Sequence, residues 1–172
     1  MEALIKSIIL KNDRKAISYD EFINLALYYP DKGYYQLELS PFGKDGDFYT
    51  SSFVHHVFAE VMANYFITIS KEQKIPLQIL ELGSGNGRFA KQLLTYFHQH
   101  GVNDIVYYFV EQNNRRRMAS QEELLNYKNV QGYKSLQDFR LEHGTFEGII
   151  FSNEFLDAMP VKVIETSNNK VY

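Results

Sequence analysis

Leu77-Gln78-Ile79-Leu80-Glu81-Leu82-Gly83-Ser84-Gly85-Asn86-Gly87 is a short apolar run followed at once by three glycines at alternate positions. The apolar run has the length and content of a buried strand. The residues after Gly87, from Arg88 to about His100, follow a helical pattern, so the glycines lie in a strand-to-helix turn. Glycine there lets the chain turn tightly and lets a ligand approach the main chain. Open parallel sheets bind their ligands beyond the carboxyl ends of their strands, where this loop stands. The spacing carries information. A dinucleotide fingerprint, G-x-G-x-x-G, accommodates a pyrophosphate. Here the glycines are Gly83, Gly85 and Gly87, and Arg88 occupies the third position of the dinucleotide pattern.

Downstream, Ile105 to Val110 reads as a second strand and ends on Glu111. An acidic residue at that point can accept hydrogen bonds from both hydroxyls of a ribose, and the device serves several nucleosides. A helix from about Asn114 to Tyr127, a short strand at Val130 to Tyr133 and a strand at Gly148 to Ser152 follow. Alternation of strand and helix predicts an α/β fold with a parallel sheet. Upstream, Gln73 to Pro76 reads as a linker, and everything before it is helix or turn. Leu4, Ile5, Ile8 and Ile9 share a helical face. Ser18 and Glu21 have the spacing of a capping box, predicting a helix through about Tyr28. Pro30 to Gly33 is a turn, Pro41 to Asp47 a loop, and Phe53 to Ile69 a third helix. The expected division is a helical section, 1–75, and an α/β core, 76–172.

Bulk properties exclude several classes. The 172 residues suffice for a real core, and the formal charge of -3 gives no field for nucleic acid. The absence of cysteine excludes disulfides and thiolate metal sites and suits a reducing compartment, so a cytoplasmic protein is expected. No segment is long and apolar enough to span a bilayer. Lys6 interrupts the N-terminal apolar run, against a signal peptide. The pairs His55/His56 and His98/His100 lack a third ligand at metal spacing, so no metal site is expected. Arg115-Arg116-Arg117 reads as the solvated face of a helix.

Asn153-Glu154-Phe155-Leu156-Asp157-Ala158-Met159-Pro160 follows the last strong strand. The Glu81 to Gly87 loop resembles motif I of class I methyltransferases, which bind S-adenosylmethionine. That cofactor has an ammonium and a sulfonium but no phosphate, and an acidic loop suits it. With Asn153 to Val161 added, the chain resembles the MidA-like family of S-adenosylmethionine-dependent methyltransferases, the family of the mitochondrial complex I assembly factor. The family's E-L-G-x-G-x-G loop is matched by Glu81 to Gly87, and its N-E-[FL]-[FL]-D-A-[LM]-P-V segment by Asn153 to Val161. Ile17 through Tyr35 and Phe42 through Ser51 match two further family segments, in the same order. The chain departs from the family at Ser52, Ser84 and Asn86, where Pro, Pro and Arg are common.

The resemblance implies a class I, Rossmann-like parallel sheet with a helical N-terminal section. It implies S-adenosylmethionine as methyl donor and a protein arginine as acceptor. Cofactor-binding residues are then expected at Glu81, Gly83, Gly85, Gly87, Glu111 and Asn153, with Asp47 and Tyr49 closing over from the N-terminal section. A protonated guanidinium is a poor nucleophile, so carboxylates that orient it and take its proton are the expected catalytic device. Glu154 and Asp157 form the available pair, three apart on a helical turn. Capping and purely structural roles for the two carboxylates weigh equally with these. Competing readings are transfer to another nitrogen or oxygen acceptor, a non-catalytic S-adenosylmethionine-binding module that assists assembly of a partner complex, and, more distantly, an NAD-dependent oxidoreductase. Only twenty residues follow Ser152, too few for the usual further strands. The sheet is therefore expected to be incomplete on that side. Val161 to Thr166 is expected to turn back on Val171-Tyr172 as a hairpin. The open edge should be covered by another chain, as in a homo-oligomer, or by sequence beyond the chain's end.

Overall fold

The computed structural model describes residues 1–37, 56–164, 166–167 and 170–171. The Asp47 and Tyr49 sites and the 41–53 segment lie outside the described residues. The chain forms two compact units, Met1–Pro41 with Leu156–Tyr172, and Phe42–Phe155.

The larger unit is built on four parallel strands, β1 (Gln78–Leu82), β2 (Val106–Val110), β3 (Val130–Tyr133) and β4 (Ile149–Ser152), in the order β3-β2-β1-β4. Register sets Ile79 beside Tyr107 and Ile149, and Glu81 beside Phe109 and Phe151. Side chains alternate across a sheet, so these residues share one face. Helices α3 (His56–Gln73) and α4 (Arg88–Gln99) cover it. On α4, the buried set Phe89, Ala90, Leu93, Leu94 and Phe97 follows helical spacing and forms one apolar stripe. On α3, Ala59 and Ala63 are fully buried one turn apart, and small side chains there let α3 lie close against its neighbours. Phe66 and Phe89 both pack their rings on Phe151. Leu80 and Val110, on the opposite face, pack with Tyr133 and Phe139 of β3 and α6 (Leu136–His143). Each fully buried large apolar side chain contributes about 1.5–3 kcal/mol.

Two expectations about the larger unit require correction. The boundary at residue 75 fails because α3 supplies Ala59, Ala63 and Phe66 to the core of the sheet; Gln73 to Pro76 joins two elements of one unit. The helix expected to reach Tyr127, α5, spans Asn114–Glu123. Beyond it Leu124 buries its side chain and Tyr127 closes a turn on the Leu124 carbonyl.

In the smaller unit α1 spans Glu2–Lys11 and α2 spans Tyr19–Ile23. The capping box forms: Ser18 Oγ accepts from the Glu21 amide, and Glu21 Oε2 accepts from the Ser18 amide at 2.8 Å. The helix does not run regularly to Tyr28. Asn24–Tyr28 is a π-helical turn, which shifts the phase of the residues after it. Tyr28 Oη donates to the Ala158 carbonyl at 2.7 Å, tying the two ends of this unit together. The expected hairpin is much shorter than its alternation implied. Thr166–Ser167 (β5) pairs antiparallel with Lys170–Val171 (β6), while Val161 to Ile164 form no strand.

Candidate functional site

The site is laid out by the carboxyl ends of β1 and β2. After Leu82 the chain enters the loop with Gly83, Gly85 and Gly87 at φ +74°, +59° and +74°. These left-handed angles cost any L side chain about 1–2 kcal/mol. Space is equally tight at two of them. A Cβ on Gly83 would stand 2.5 Å from the Phe155 ring, and one on Gly87 2.9 Å from Ser120 of α5. The loop is stitched to β2 by the Gly83 amide, which donates to the Val110 carbonyl at 2.9 Å. Ser120 Oγ donates to the Gly85 carbonyl at 3.2 Å.

Glu111 follows β2 directly. Its Oε2 accepts from the Gly85 amide at 2.9 Å and its Oε1 from the Asn113 amide at 2.8 Å. Burial pushes this carboxyl above the ordinary carboxylate value, opposed by the Asn113 amide, Arg116, the Gly85 amide and Arg117. A carboxylate has about four acceptor positions. Each oxygen of Glu111 uses one, so the pair retains capacity for two hydroxyls on one ligand. Arg117 Nη1 donates to the Glu111 carbonyl at 2.9 Å. The arginine run is therefore not one solvated face: Arg115 is exposed, but Arg116 and Arg117 are half-buried beside Glu111.

Glu81 lies on the strand, not in the loop. It is buried, and its Oε2 accepts from Tyr107 Oη at 2.8 Å. Burial pushes its carboxyl up to about 7, the Tyr107 hydroxyl opposes this, and the neighbouring charge of Glu111 adds to it. Glu81 and Glu111 thus flank the loop as two buried carboxyls, one at the end of each central strand. With its three glycines, this set fits a ligand bearing a ribose and cationic groups. A polyphosphate would face repulsion from the Glu111 carboxylate.

Beyond β4, Asn153 is half-buried and Glu154 is exposed with a left-handed backbone, φ +47°. A non-glycine residue held there stores strain of order 1–3 kcal/mol, which concentrates at functional sites. The expectation that Glu154 and Asp157 share a helical turn is corrected. The left-handed residue interrupts the helical geometry, and only Leu156–Ala158 form a 3-10 turn, carrying Asp157. Glu154 belongs to the sheet unit, which ends at Phe155; Asp157, also exposed, belongs to the smaller unit.

The structure thus brings Glu81, Gly83, Gly85, Gly87 and Glu111 together. Tyr107, Asn113, Ser120 and Phe155 join them without having been singled out in the sequence. The Tyr107 contact depends on strand register and the Ser120 contact on a helix 35 residues from Gly85, and neither leaves a local pattern. Among the described residues no group of three metal-ligating side chains is assembled, and no helix is long and apolar enough to cross a membrane.

Comparison with known proteins adds three findings. Residues 61–172 match the family described as S-adenosyl-L-methionine-dependent methyltransferases. The protein arginine methyltransferase NDUFAF7, mitochondrial, is similar in cow (33% identity over 87 residues, 49% of this chain and 20% of the relative) and zebrafish (27% over 176 residues, 89% and 41%). A Burkholderia thailandensis COG1565 superfamily member, crystallised with S-adenosyl-homocysteine bound, superposes with a TM-score of 0.76 at 26% identity, covering 92% of this chain and 41% of that one. The chain therefore spans less than half the length of these relatives.

Proposed function

From the premise that the chain belongs to this S-adenosyl-L-methionine-dependent methyltransferase family, we propose that the glycine loop and Glu111 hold S-adenosylmethionine for methyl transfer to a protein arginine. The single observation that carries the cofactor part is the Glu111 carboxylate, buried at the end of β2 and tied to the Gly85 amide at 2.9 Å. It fixes the loop and presents its remaining acceptor positions for a ribose. The cofactor supplies a methyl group on a sulfonium, already activated for displacement. The chain's own work is to place the acceptor and take up its proton, which this reading assigns to Glu154 and Asp157. Asn153, half-buried beside Glu154, is assigned to the cofactor. The arginine acceptor is supported by the names of the relatives. The reading also includes a reducing, cytoplasmic compartment, supported by the cysteine-free sequence and tested by fractionating cells that express a tagged chain.

Calorimetry with S-adenosylmethionine, S-adenosylhomocysteine and NAD tests the reading. The first two should bind and NAD should not. Glu111→Ala should weaken binding by about 1.5–3 kcal/mol, the worth of hydrogen bonds to a charged group. Gly85→Val should abolish binding. Tighter binding of NAD, or unchanged affinity in both variants, would place the cofactor elsewhere and defeat the proposal.

A further inference from the structure

In the smaller unit the turn that carries Asp157 is held on both sides. The Met159 amide donates to the Leu156 carbonyl at 3.1 Å, and Tyr28 Oη donates to the Ala158 carbonyl at 2.7 Å. The Tyr28 side chain thus ends on the residue after Asp157, which is exposed. The Tyr28 ring stacks on that of Tyr35, with centroids 5.7 Å and planes 29° apart, and Tyr34 meets Tyr35 edge-on at 5.3 Å. Two local features gather these rings. The π-helical turn Asn24–Tyr28 shifts the phase of Tyr28. Gly33 then lets the chain return against that turn: its amide donates to the Tyr29 carbonyl at 2.7 Å, and a Cβ there would stand 2.5 Å from the Tyr29 nitrogen.

Core packing does not account for the cluster. Among residues 1–37 and 156–164 Gly33 alone is buried, and Tyr28, Tyr34 and Tyr35 are each half-buried. The rings therefore form a surface patch beside a carboxylate. The face of an aromatic ring attracts a cation. A guanidinium, flat and weakly hydrated, stacks on such a face, whereas a lysine ammonium is a compact and strongly hydrated charge. A carboxylate next to the ring can take the N–H groups of the same guanidinium. We propose that Tyr28 and Tyr35, with Asp157, form the seat of the acceptor guanidinium, the carboxylate matching its charge and the rings selecting arginine over lysine. This rests on the arginine-acceptor reading above.

The test titrates the whole chain, by nuclear magnetic resonance, with three capped glycine-rich peptides that differ at one residue: arginine, lysine or citrulline. Lysine keeps the charge without the plane; citrulline keeps the plane without the charge. Wild type should bind the arginine peptide about fivefold more tightly than either, a typical value for one cation–π contact. Tyr35→Leu should remove the advantage over lysine, and Tyr35→Phe, which keeps the ring, should retain it. Asp157→Asn should weaken the arginine and lysine peptides alike. Equal binding of arginine and lysine by wild type would overturn the inference, as would a preference that survives Tyr35→Leu or is lost in Tyr35→Phe. The wild-type and Tyr35→Phe comparisons decide the matter even if Tyr35→Leu fails to fold. Failure of the arginine peptide to bind wild type at all would instead overturn the acceptor reading itself.

Discussion

Glu81 and Glu111 are the two side chains whose surroundings depart most from what their type prefers. Each is buried, and burial raises both carboxyls above their ordinary value of 4.5, Glu81 to about 7. A carboxyl that holds its proton more tightly folded than unfolded stabilises the fold fully below about 4.5. That stability is lost as pH rises towards 7. Glu81→Gln keeps the shape and still offers an oxygen to Tyr107. It should flatten the decline in unfolding free energy between about pH 4.5 and 7, and at pH 8 exceed the wild type by roughly 3 kcal/mol at most. Denaturant unfolding at several pH values measures this. Parallel curves for wild type and variant would mean that Glu81 titrates normally. Glu154 and Asp157 are a different case, because both are exposed. Glu154→Gln and Asp157→Asn should leave stability within about 0.5 kcal/mol. On the proposed transfer to a protein arginine, both should lower methylation of a protein substrate, read by mass spectrometry, far more than they change cofactor affinity. Methylation at wild-type levels in both would remove them from the chemistry. Glu81 and Glu111 could be found in the sequence because they sit at strand ends in recognisable motifs, and Glu154 and Asp157 because the segment after β4 is itself such a motif. The upward shift of the Glu81 carboxyl could not, since its main cause is burial, which comes from α3 and α4 closing over that face of the sheet.

Among the elements, strands and their helices were legible wherever periodicity was strong. The α4 stripe from Phe89 to Phe97 and the capping box at Ser18 and Glu21 needed nothing beyond local spacing. Assigning α3 to the wrong section has a physical cause. A helical pattern identifies the apolar face but not its partner, and Ala59 and Ala63 hardly register as apolar although both are fully buried. The assignment of α3 to the sheet can be tested at Ala63. Ala63→Leu inserts three heavy atoms into a filled contact and should cost about 1–3 kcal/mol. It should also speed hydrogen exchange at the β1 and β2 amides, because α3 and the sheet share one core. Faster exchange confined to α3, with the strands unaffected, would show that the helix is an accessory and not part of that core.

At the scale of the whole molecule the sheet is one-sided. Among the described residues β4 pairs only with β1, so its outer edge carries unpaired main-chain groups. Ile150 adds an apolar side chain, 62% exposed, on the face where its neighbour Leu80 is buried. The expectation of an incomplete sheet followed from counting strands. Which strand would be outermost followed from the crossover order, with β1 inside and β4 outside. An open edge with an apolar residue on it is a template for strand addition, and natural proteins usually blunt such edges with charge, proline or a covering element. Ile150 is none of these. The chain on its own is therefore expected to associate through β4, with a mass by light scattering that grows with concentration. Ile150→Lys puts a charge beside the edge without touching the Gly83 to Gly87 loop, so it should shift the population towards monomer and leave S-adenosylhomocysteine affinity unchanged. A wild-type chain that stays monomeric at every concentration would mean that the β4 edge is already covered. A variant that associates as strongly as wild type would place the contact on another surface.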